Sequence, residues 1–192
     1  NSSSAPASSR QSASYPAARS HRASPPRLAS QTKRGATGSC PNGTPDSELV
    51  DEDAVPRPES PYGQTKVVSE WLLCDVARVH PRLRQTSLRY FNVCGSGPPA
   101  LADHSPHNLF PKVFRALSRG EAPVVFGDDY PTTDGTCVRD YIHVVDLADA
   151  HLRAALHLES DSPVRDAYNV GRGVGSSVLE VIDAMRRVTG ID

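Results

Sequence analysis

The sequence predicts an α/β fold in which the strands of a parallel sheet alternate with helices. After residue 45, short segments rich in β-branched and aromatic residues alternate with longer segments whose apolar residues recur at helical spacing. This alternation is typical of parallel sheets, because each helix carries the chain back to the start of the next strand. A chain of 192 residues is long enough for one or two domains, and no internal repeat is visible.

Residues 1–45 differ in composition from the rest of the chain. They contain six Lys or Arg residues and no Asp or Glu, and Ser, Ala and Pro fill most other positions. The few large apolar side chains of this segment cannot offset the entropy of ordering its backbone. We therefore predict a disordered or non-native tail. An organelle transit peptide and a basic anion-binding arm are the alternatives. Residues 46–192 hold the other 15 basic and all 22 acidic residues.

The first helix is predicted over residues 60–77, because Ser and Pro open it and an apolar stripe follows. The stripe consists of Val67, Val68, Trp71, Leu72 and Val76. Tyr62 and Lys66 are four residues apart and therefore share one helix face. A cation beside a Tyr hydroxyl favours the phenolate, which makes the Tyr usable as a general base near neutral pH. A chance pairing of two surface residues is the alternative for so short a pattern.

The middle of the chain is predicted to contain two strands and a helix. The β-branched and aromatic content of residues 86–91 indicates a strand. Residues 109–119 are predicted to form a helix that ends at Gly120. A short strand is predicted over residues 123–126, followed by a turn-rich loop over residues 127–135.

The last third of the chain continues the alternation. Strands are predicted at residues 142–144 and 167–170, with an amphipathic helix over residues 145–158 between them. The final helix, residues 177–189, opens with a Ser and a Glu three residues apart, the pattern of a capping box, and a Gly follows its end.

Five segments in this order carry a resemblance to a known family. They are Tyr62-Gly-Gln-Thr-Lys66, Leu88-Arg-Tyr-Phe-Asn-Val-Cys-Gly95, Asn108-Leu-Phe-Pro111, residues 126–149 with their Val-Arg-Asp-Tyr-Ile-His run, and residues 167–180. From about Leu49 to Asp192 the sequence resembles the UDP-glucose 4-epimerase family, extended members of the short-chain dehydrogenase/reductase superfamily. Nucleotide-sugar dehydratases and decarboxylases share part of this pattern and stay open as alternatives, as does a chain without catalytic activity.

The resemblance implies a partial Rossmann-like parallel sheet with part of a smaller substrate-binding lobe, built by residues 46–192 of an NAD-dependent epimerase/dehydratase domain. It implies NAD as a tightly held catalyst and a UDP-sugar as substrate. Tyr62 would take the proton of the sugar 4-hydroxyl, Lys66 would donate to the nicotinamide ribose, and Phe91 would lie near the nicotinamide. The UDP-sugar would contact Asn92, Asn108, Leu109, Val124, Val125, Phe126 and Arg139.

Two of these residues also have simpler interpretations. Asn108 precedes a predicted helix, so it can be an N-cap. By the resemblance it is also part of a diphosphate site with Leu109 at the helix start, and the two interpretations are compatible. Arg139 either pairs with its neighbour Asp140 on the surface or, by the resemblance, binds the UDP diphosphate.

The family's third catalytic residue and its cofactor-binding turn are less evident. Ser2 to Ser4 resemble the family's catalytic Ser segment, which makes Ser4 a candidate, although Ser4 precedes Tyr62 by 58 residues. No Gly-rich turn of the dinucleotide-binding type precedes Tyr62, so we expect this chain alone to bind NAD weakly and to lack turnover. Members of the family are commonly dimers, so a homodimer is expected for the complete protein.

Several other functions are not expected. Asp140, His143 and Asp146 are spaced by three, but a metal site there is disfavoured because the segment crosses from strand to helix. The Gly171-Arg-Gly-Val-Gly175 turn departs from the dinucleotide pattern at Ser176. The four cysteines form no closely spaced pair, and no apolar run is long enough to span a membrane. We therefore expect a cytoplasmic protein with no metal, nucleic-acid or membrane partner.

Overall fold

The computed structural model of the protein describes residues 50–191. Helices and short strands alternate along most of this range. In chain order the elements are α1 (Pro61–Val79), β1 (Ser87–Tyr90), β2 (Asn92–Cys94), a 3₁₀ helix (Pro99–Leu101), α2 (Leu109–Ser118), β3 (Val138–His143), α3 (Val144–Glu159), β4 (Ala167–Val170), β5 (Gly175–Ser177) and α4 (Val178–Thr189).

The strands form two small sheets that are joined through the chain. β1 pairs in parallel with β4, and β2 pairs in parallel with β3. Only Phe91 separates β1 from β2, so one extended run of backbone passes from the first sheet to the second. β5 pairs with β3 in the antiparallel direction. The α/β fold with parallel strands is confirmed, whereas the antiparallel strand β5 was not predicted.

Helix α1 begins as its sequence predicts. Ser60 is the N-cap, and its Oγ accepts a hydrogen bond of 3.0 Å from the N–H of Gly63. Pro61 occupies the first helical position, where its missing N–H has no intrahelical partner to lose. The helix runs to Val79, two residues beyond the predicted end, and only Gly63 and Val67 of its residues are buried.

Two hydrophobic clusters hold the described chain together. The first lies between α2 and α4, and its buried members are Val113, Leu117, Val181, Ile182 and Met185. The second lies between α3 and strands β3 and β4, with buried Ile142, Leu147, Ala150 and Val170 and with Leu88 of β1 packed against them. The first cluster therefore belongs to a small helical lobe, and the second lies under the parallel strands.

Two predicted strands differ from the observed ones. Residues 123–126 form no strand, because strands exist only as paired structures and no other described strand lies alongside this segment. The strand predicted at residues 142–144 is β3, which begins four residues earlier and ends at His143. The capping box of α4 is confirmed, since the side chain of Ser177 accepts from the N–H of Glu180 and the Glu180 carboxylate accepts from the N–H of Ser177.

We expect Gly135→Ala to destabilise the fold strongly. The loop before β3 is closed by a 2.9 Å hydrogen bond from the Tyr130 N–H to the Gly135 carbonyl, and Gly135 has φ +76°. A Cβ at Gly135 would lie 2.3 Å from the backbone oxygen of Asp128. Left-handed strain and this overlap together are expected to lower the free energy of unfolding by about 2–5 kcal/mol.

Gly120→Ala is the matched control for this effect. Gly120 has φ +65°, and a Cβ there would meet no atom within 4 Å. Its cost is then backbone strain alone, about 1–2 kcal/mol. Urea unfolding of both variants measures the difference, and equal losses of stability would show that the contact with Asp128 is unimportant.

Candidate active site

Tyr62 and Lys66 lie on one exposed face of α1, as their spacing predicts. The Tyr62 side chain is 56% exposed. The Lys66 Nζ is 4.9 Å from the centroid of the Tyr62 ring. An ammonium at this distance from an aromatic face is attracted by the ring quadrupole, so the two side chains are held together. A phenol and a cation are therefore both accessible to a ligand at the start of α1.

An ion pair connects α1 to β1. The Arg89 guanidinium donates from Nε to Glu70 Oε1 at 2.9 Å and from one Nη to Glu70 Oε2 at 2.6 Å. Its other Nη donates to the Glu52 carbonyl at 3.3 Å. The next residue after β1 that faces the same side as Arg89 is Phe91, because side chains alternate along a strand. The pair therefore links the Tyr62 helix to the strand end at Phe91.

A cavity of about 710 Å³ lies beside the strand that follows Phe91. Its walls come from β2, α2, β3 and the segment before β3. Of the residues predicted to bind a UDP-sugar, six line it: Asn92, Asn108, Leu109, Val124, Phe126 and Arg139. Tyr62, Lys66 and Phe91 are not among its lining residues, and Ser4 lies outside the described residues.

Asn92, Arg139 and Tyr141 of the cavity wall share one face of the second sheet. Asn92 of β2 stands opposite Tyr141 of β3 in the parallel register. Cys137, Arg139 and Tyr141 alternate along β3 and its approach, so their side chains point to the same side. Arg139 is half-buried there. A guanidinium against an apolar wall is well suited to bind a phosphate or carboxylate.

Asn108 stands at the N-cap position of α2 but its side chain does not cap the helix. The Asn108 Nδ2 instead donates to Asp103 Oδ2 at 2.7 Å. This hydrogen bond lowers the pKa of Asp103, and a hydrogen bond from the Ser105 N–H lowers it further, by less. Asn108 is therefore the N-cap residue by position, but its side chain does not cap the helix. The first N–H groups of α2, which no cap from Asn108 satisfies, are oriented to meet an anion.

The segment expected beside the uracil divides between the cavity and the core. Val124 and Phe126 are 72% and 75% exposed and line the cavity. The Lys112 Nζ stands 5.4 Å from the centroid of the Phe126 ring. Val125 instead packs against the cluster of α2 and α4, because successive side chains of an extended segment point to opposite sides. The structure thus does not bring Val125 to the cavity.

Asp140 faces away from the cavity. Its side chain is buried, and its carboxylate accepts hydrogen bonds of 2.9 Å from the N–H groups of Arg172 and Gly173. The turn after β4 is therefore tied to β3 through Asp140. Residues 50–191 contain no group of three His, Cys, Asp or Glu side chains that could hold a metal ion.

Tyr141, in the cavity wall, should make the stability of the fold depend on pH in the alkaline range. Its ring packs edge-on against Phe110 with 5.5 Å between centroids, and burial raises its pKa to about 12. The folded state thus keeps this proton to higher pH than the unfolded state does. We expect the stability that Tyr141 contributes to be complete below pH 10 and to be lost as pH rises toward 12. Urea unfolding at a series of pH values measures this, and an equally steep loss in Tyr141→Phe would exclude the assignment.

The sequence alone did not single out Lys112, Tyr141, Asp103 or the Glu70–Arg89 pair. For the Glu70–Arg89 pair a signal was present, since Glu70 follows Lys66 by four residues and Arg89 lies between Leu88 and Tyr90 in a predicted strand. Charged residues at such positions are buried only when paired.

A Tyr and a Lys four residues apart at the start of a helix, in a fold where parallel strands alternate with helices, are typical of the short-chain dehydrogenase/reductase class. Comparison with known families agrees and is more specific. Residues 32–171 match the NAD dependent epimerase/dehydratase family. The chain belongs to this family.

Among curated proteins, the chain is similar to several UDP-glucose 4-epimerases. The chain is 42% identical over 151 residues to the UDP-glucose 4-epimerase of Yersinia pestis, covering 76% of this chain and 44% of the relative. It is 43% identical over 153 residues to that of Bacillus subtilis (strain 168), covering 77% and 45%. The chain thus spans less than half the length of these curated relatives.

Solved structures show the same similarity. One is the UDP-glucose-4-epimerase from Stenotrophomonas maltophila with bound NAD and formylated UDP-arabinopyranose, with 40% identity, a TM-score of 0.67 and coverage of 83% of this chain and 48% of that one. Another is the UDP-glucose 4-epimerase from Brucella ovis in complex with NAD, with 38% identity, a TM-score of 0.67 and coverage of 77% and 46%. Between residues 50 and 191, no helix combines the length and apolar character needed to cross a bilayer.

Proposed function

We propose that this chain supplies the Tyr–Lys pair and the sugar-nucleotide cavity of an NAD-dependent UDP-glucose 4-epimerase, which interconverts UDP-glucose and UDP-galactose. The observation that carries the proposal is the cavity. Asn92, Asn108 and Arg139, which lie far apart in the sequence, line one space of nucleotide-sugar size. The relatives with this sequence pattern are UDP-glucose 4-epimerases.

The residues of α1 fit the nicotinamide end of NAD. The Lys66 ammonium and the Tyr62 hydroxyl are exposed together on α1, and both can donate to ribose hydroxyls. Phe91, half-buried after β1, adds an aromatic surface for a flat ring. The chemistry that bound NAD supplies is reversible acceptance of the hydride from C4 of the sugar.

The chain's own residues then perform the acid–base and binding steps. The Tyr62 Oη takes the proton of the sugar 4-hydroxyl and later returns it, and the Lys66 ammonium stands beside the Tyr62 ring. Arg139 and the first N–H groups of α2 bind the diphosphate, with Asn108 at the same helix start. Phe126 and Val124 provide an apolar rim for the uracil, and Asn92 contacts the nucleotide sugar. Ser4 remains a candidate third catalytic residue.

We extend the proposal to assembly and location. Residues 46–192 are proposed to be part of the epimerase domain and residues 1–45 a tail, although the family match already begins at residue 32. Helix α1 exposes a row of large apolar side chains, Val68, Trp71, Leu72 and Val76. A second copy of the chain is the proposed cover for this row, giving a homodimer in the complete protein. The free thiols of Cys74, Cys94 and Cys137 are compatible with the reducing cytoplasm, where we place the protein.

The activity is tested in a chimera. Residues 50–191 replace the matching segment of the Bacillus subtilis UDP-glucose 4-epimerase, to which the chain is 43% identical. With NAD and UDP-galactose, we expect formation of UDP-glucose. A chimera that folds and binds UDP but forms no UDP-glucose would contradict the proposal.

A further inference from the structure

The Glu70–Arg89 pair differs from the other ion pairs of residues 50–191. Its side chains are 17% and 9% exposed, and it is held by two parallel hydrogen bonds of 2.9 and 2.6 Å. The pairs Arg78–Asp75, Arg153–Asp149, Arg165–Asp53 and Arg187–Asp183 have side chains between 43% and 81% exposed. Exposed pairs contribute little, whereas a shielded bidentate pair fixes the geometry of the groups that it joins.

The position of the pair relates it to the candidate active site. Tyr62, Lys66 and Glu70 follow one another at intervals of four residues, so they form a stripe along α1. Arg89 and Phe91 are two residues apart in an extended segment, so they point to the same side. The pair therefore joins the stripe that carries Tyr62 and Lys66 to the strand face that carries Phe91.

Besides this pair, a hydrogen bond of 3.5 Å from Gln85 Nε2 to Cys74 Sγ connects α1 to the segment before β1. Only Gly63 and Val67 of α1 are buried, while Trp71 and Leu72 are 62% and 59% exposed. A helix with so few buried side chains can rotate or slide against its sheet at low cost. The hydrogen bonds to the Arg89 guanidinium have a fixed fork geometry, which an apolar contact lacks.

We propose that Glu70 and Arg89 are positioning residues, which set the rotation of α1 so that Tyr62 and Lys66 stand over the strand end at Phe91. The proposal rests on the proposed function, because it assigns the pair to the placement of the Tyr62 base. Arg89 also binds the Glu52 carbonyl, and Glu52 Oε1 accepts from the N–H of Asn169 at 2.9 Å. This connection anchors the Arg89 side of the pair to β4.

Hydrogen exchange of the 192-residue chain tests the anchoring. In Glu70→Gln we expect the amide protection of α1 to fall by at least about tenfold, because Arg89 keeps a shielded charge without its partner. Protection of α4, which does not contact the pair, is expected to change by less than about threefold. Asp75→Asn is the matched control, since it breaks an exposed pair of the same helix and should lower α1 protection by less than about fivefold.

Two further variants make the test decisive. Glu70→Gln with Arg89→Met removes both charges, so α1 protection should recover relative to Glu70→Gln alone. Should Glu70→Gln not fold, Arg89→Lys keeps the charge but loses the fork, and should again loosen α1 more than α4. The proposal would be overturned if amide protection fell equally in α1 and α4, or if it did not fall in α1. It would also be overturned if α1 protection did not recover in the double variant.

Turnover in the chimera separates positioning from folding. There we expect Glu70→Gln to lower kcat by about 10²-fold, because a small displacement of a catalytic group has effects of this size. The KM for UDP-galactose should stay within about threefold, since the cavity residues are on other elements. An unchanged kcat would overturn the positioning role. A chimera inactive even with the native pair would instead contradict the proposed function, and the exchange data would still decide the anchoring.

Discussion

Tyr62→Phe is expected to lower epimerase turnover of the chimera by about 10²–10⁴-fold, the usual contribution of a general acid–base group. The variant removes one hydroxyl and leaves the ring, so the contact with the Lys66 ammonium, 4.9 Å from the ring centroid, is retained. Binding of UDP should therefore be unchanged, and kcat should carry the loss. Steady-state kinetics with UDP-galactose measure both quantities.

Two results decide the role of Tyr62. Tyr90→Phe is the matched control, because Tyr90 is also an exposed tyrosine, 49% against 56% for Tyr62, and carries no assigned role. It should leave kcat within about threefold of the parent. If Tyr62→Phe behaved like Tyr90→Phe, another group would have to be the base.

Arg139→Met is expected to weaken UDP binding by the 192-residue chain by about 2–4 kcal/mol. Arg139 is half-buried in the cavity wall, and losing a guanidinium leaves the diphosphate without a bidentate partner. Calorimetric titration with UDP at fixed ionic strength measures the change. Arg139→Lys, which keeps the charge without the fork, should fall between the parent and Arg139→Met.

Arg115 provides the control for net charge. It is exposed in the last turn of α2 and does not line the cavity. Arg115→Met removes the same charge from the same lobe, so a loss limited to long-range attraction, under about 1 kcal/mol, is expected. Equal losses in the two Met variants would indicate that UDP binds through general electrostatic attraction and not at Arg139.

Local signals in the sequence predicted the helices well. Ser60 and Pro61 specify the start of α1, and the reciprocal bonds of Ser177 and Glu180 start α4, because caps act within one turn. The face shared by Tyr62 and Lys66 follows from helix periodicity in the same way. These features depend on residues within a few positions of one another, so one sequence is enough to infer them.

Features that depend on distant partners could not be predicted from local pattern. Residues 123–126 have strand-forming side chains but no described strand pairs with them, whereas Gly175–Ser177, with weak strand propensity, pairs with β3. Pairing is decided by tertiary neighbours more than by propensity. The side chain of Asn108 bonds to Asp103, five residues earlier in the loop, and this choice of a loop partner over the helix is also not specified by capping propensity.

The division of the uracil segment shows how a resemblance and a structure differ. The resemblance assigned Val124, Val125 and Phe126 to one role, yet Val125 packs in the core and the two flanking side chains line the cavity. Alternation along an extended segment requires such a division. The assignment to the cavity is therefore retained for Val124 and Phe126 alone.

The central claim, 4-epimerisation of a UDP-sugar, is tested most directly by proton NMR of UDP-glucose incubated with NAD and the chimera. We expect UDP-galactose to appear while the hydroxymethyl protons at C6 remain, and Tyr62→Phe to slow this conversion by about 10²–10⁴-fold. Accumulation of a 4-keto-6-deoxy sugar would identify a dehydratase. That product, or unchanged UDP-glucose with a chimera that folds and binds UDP, would contradict the account.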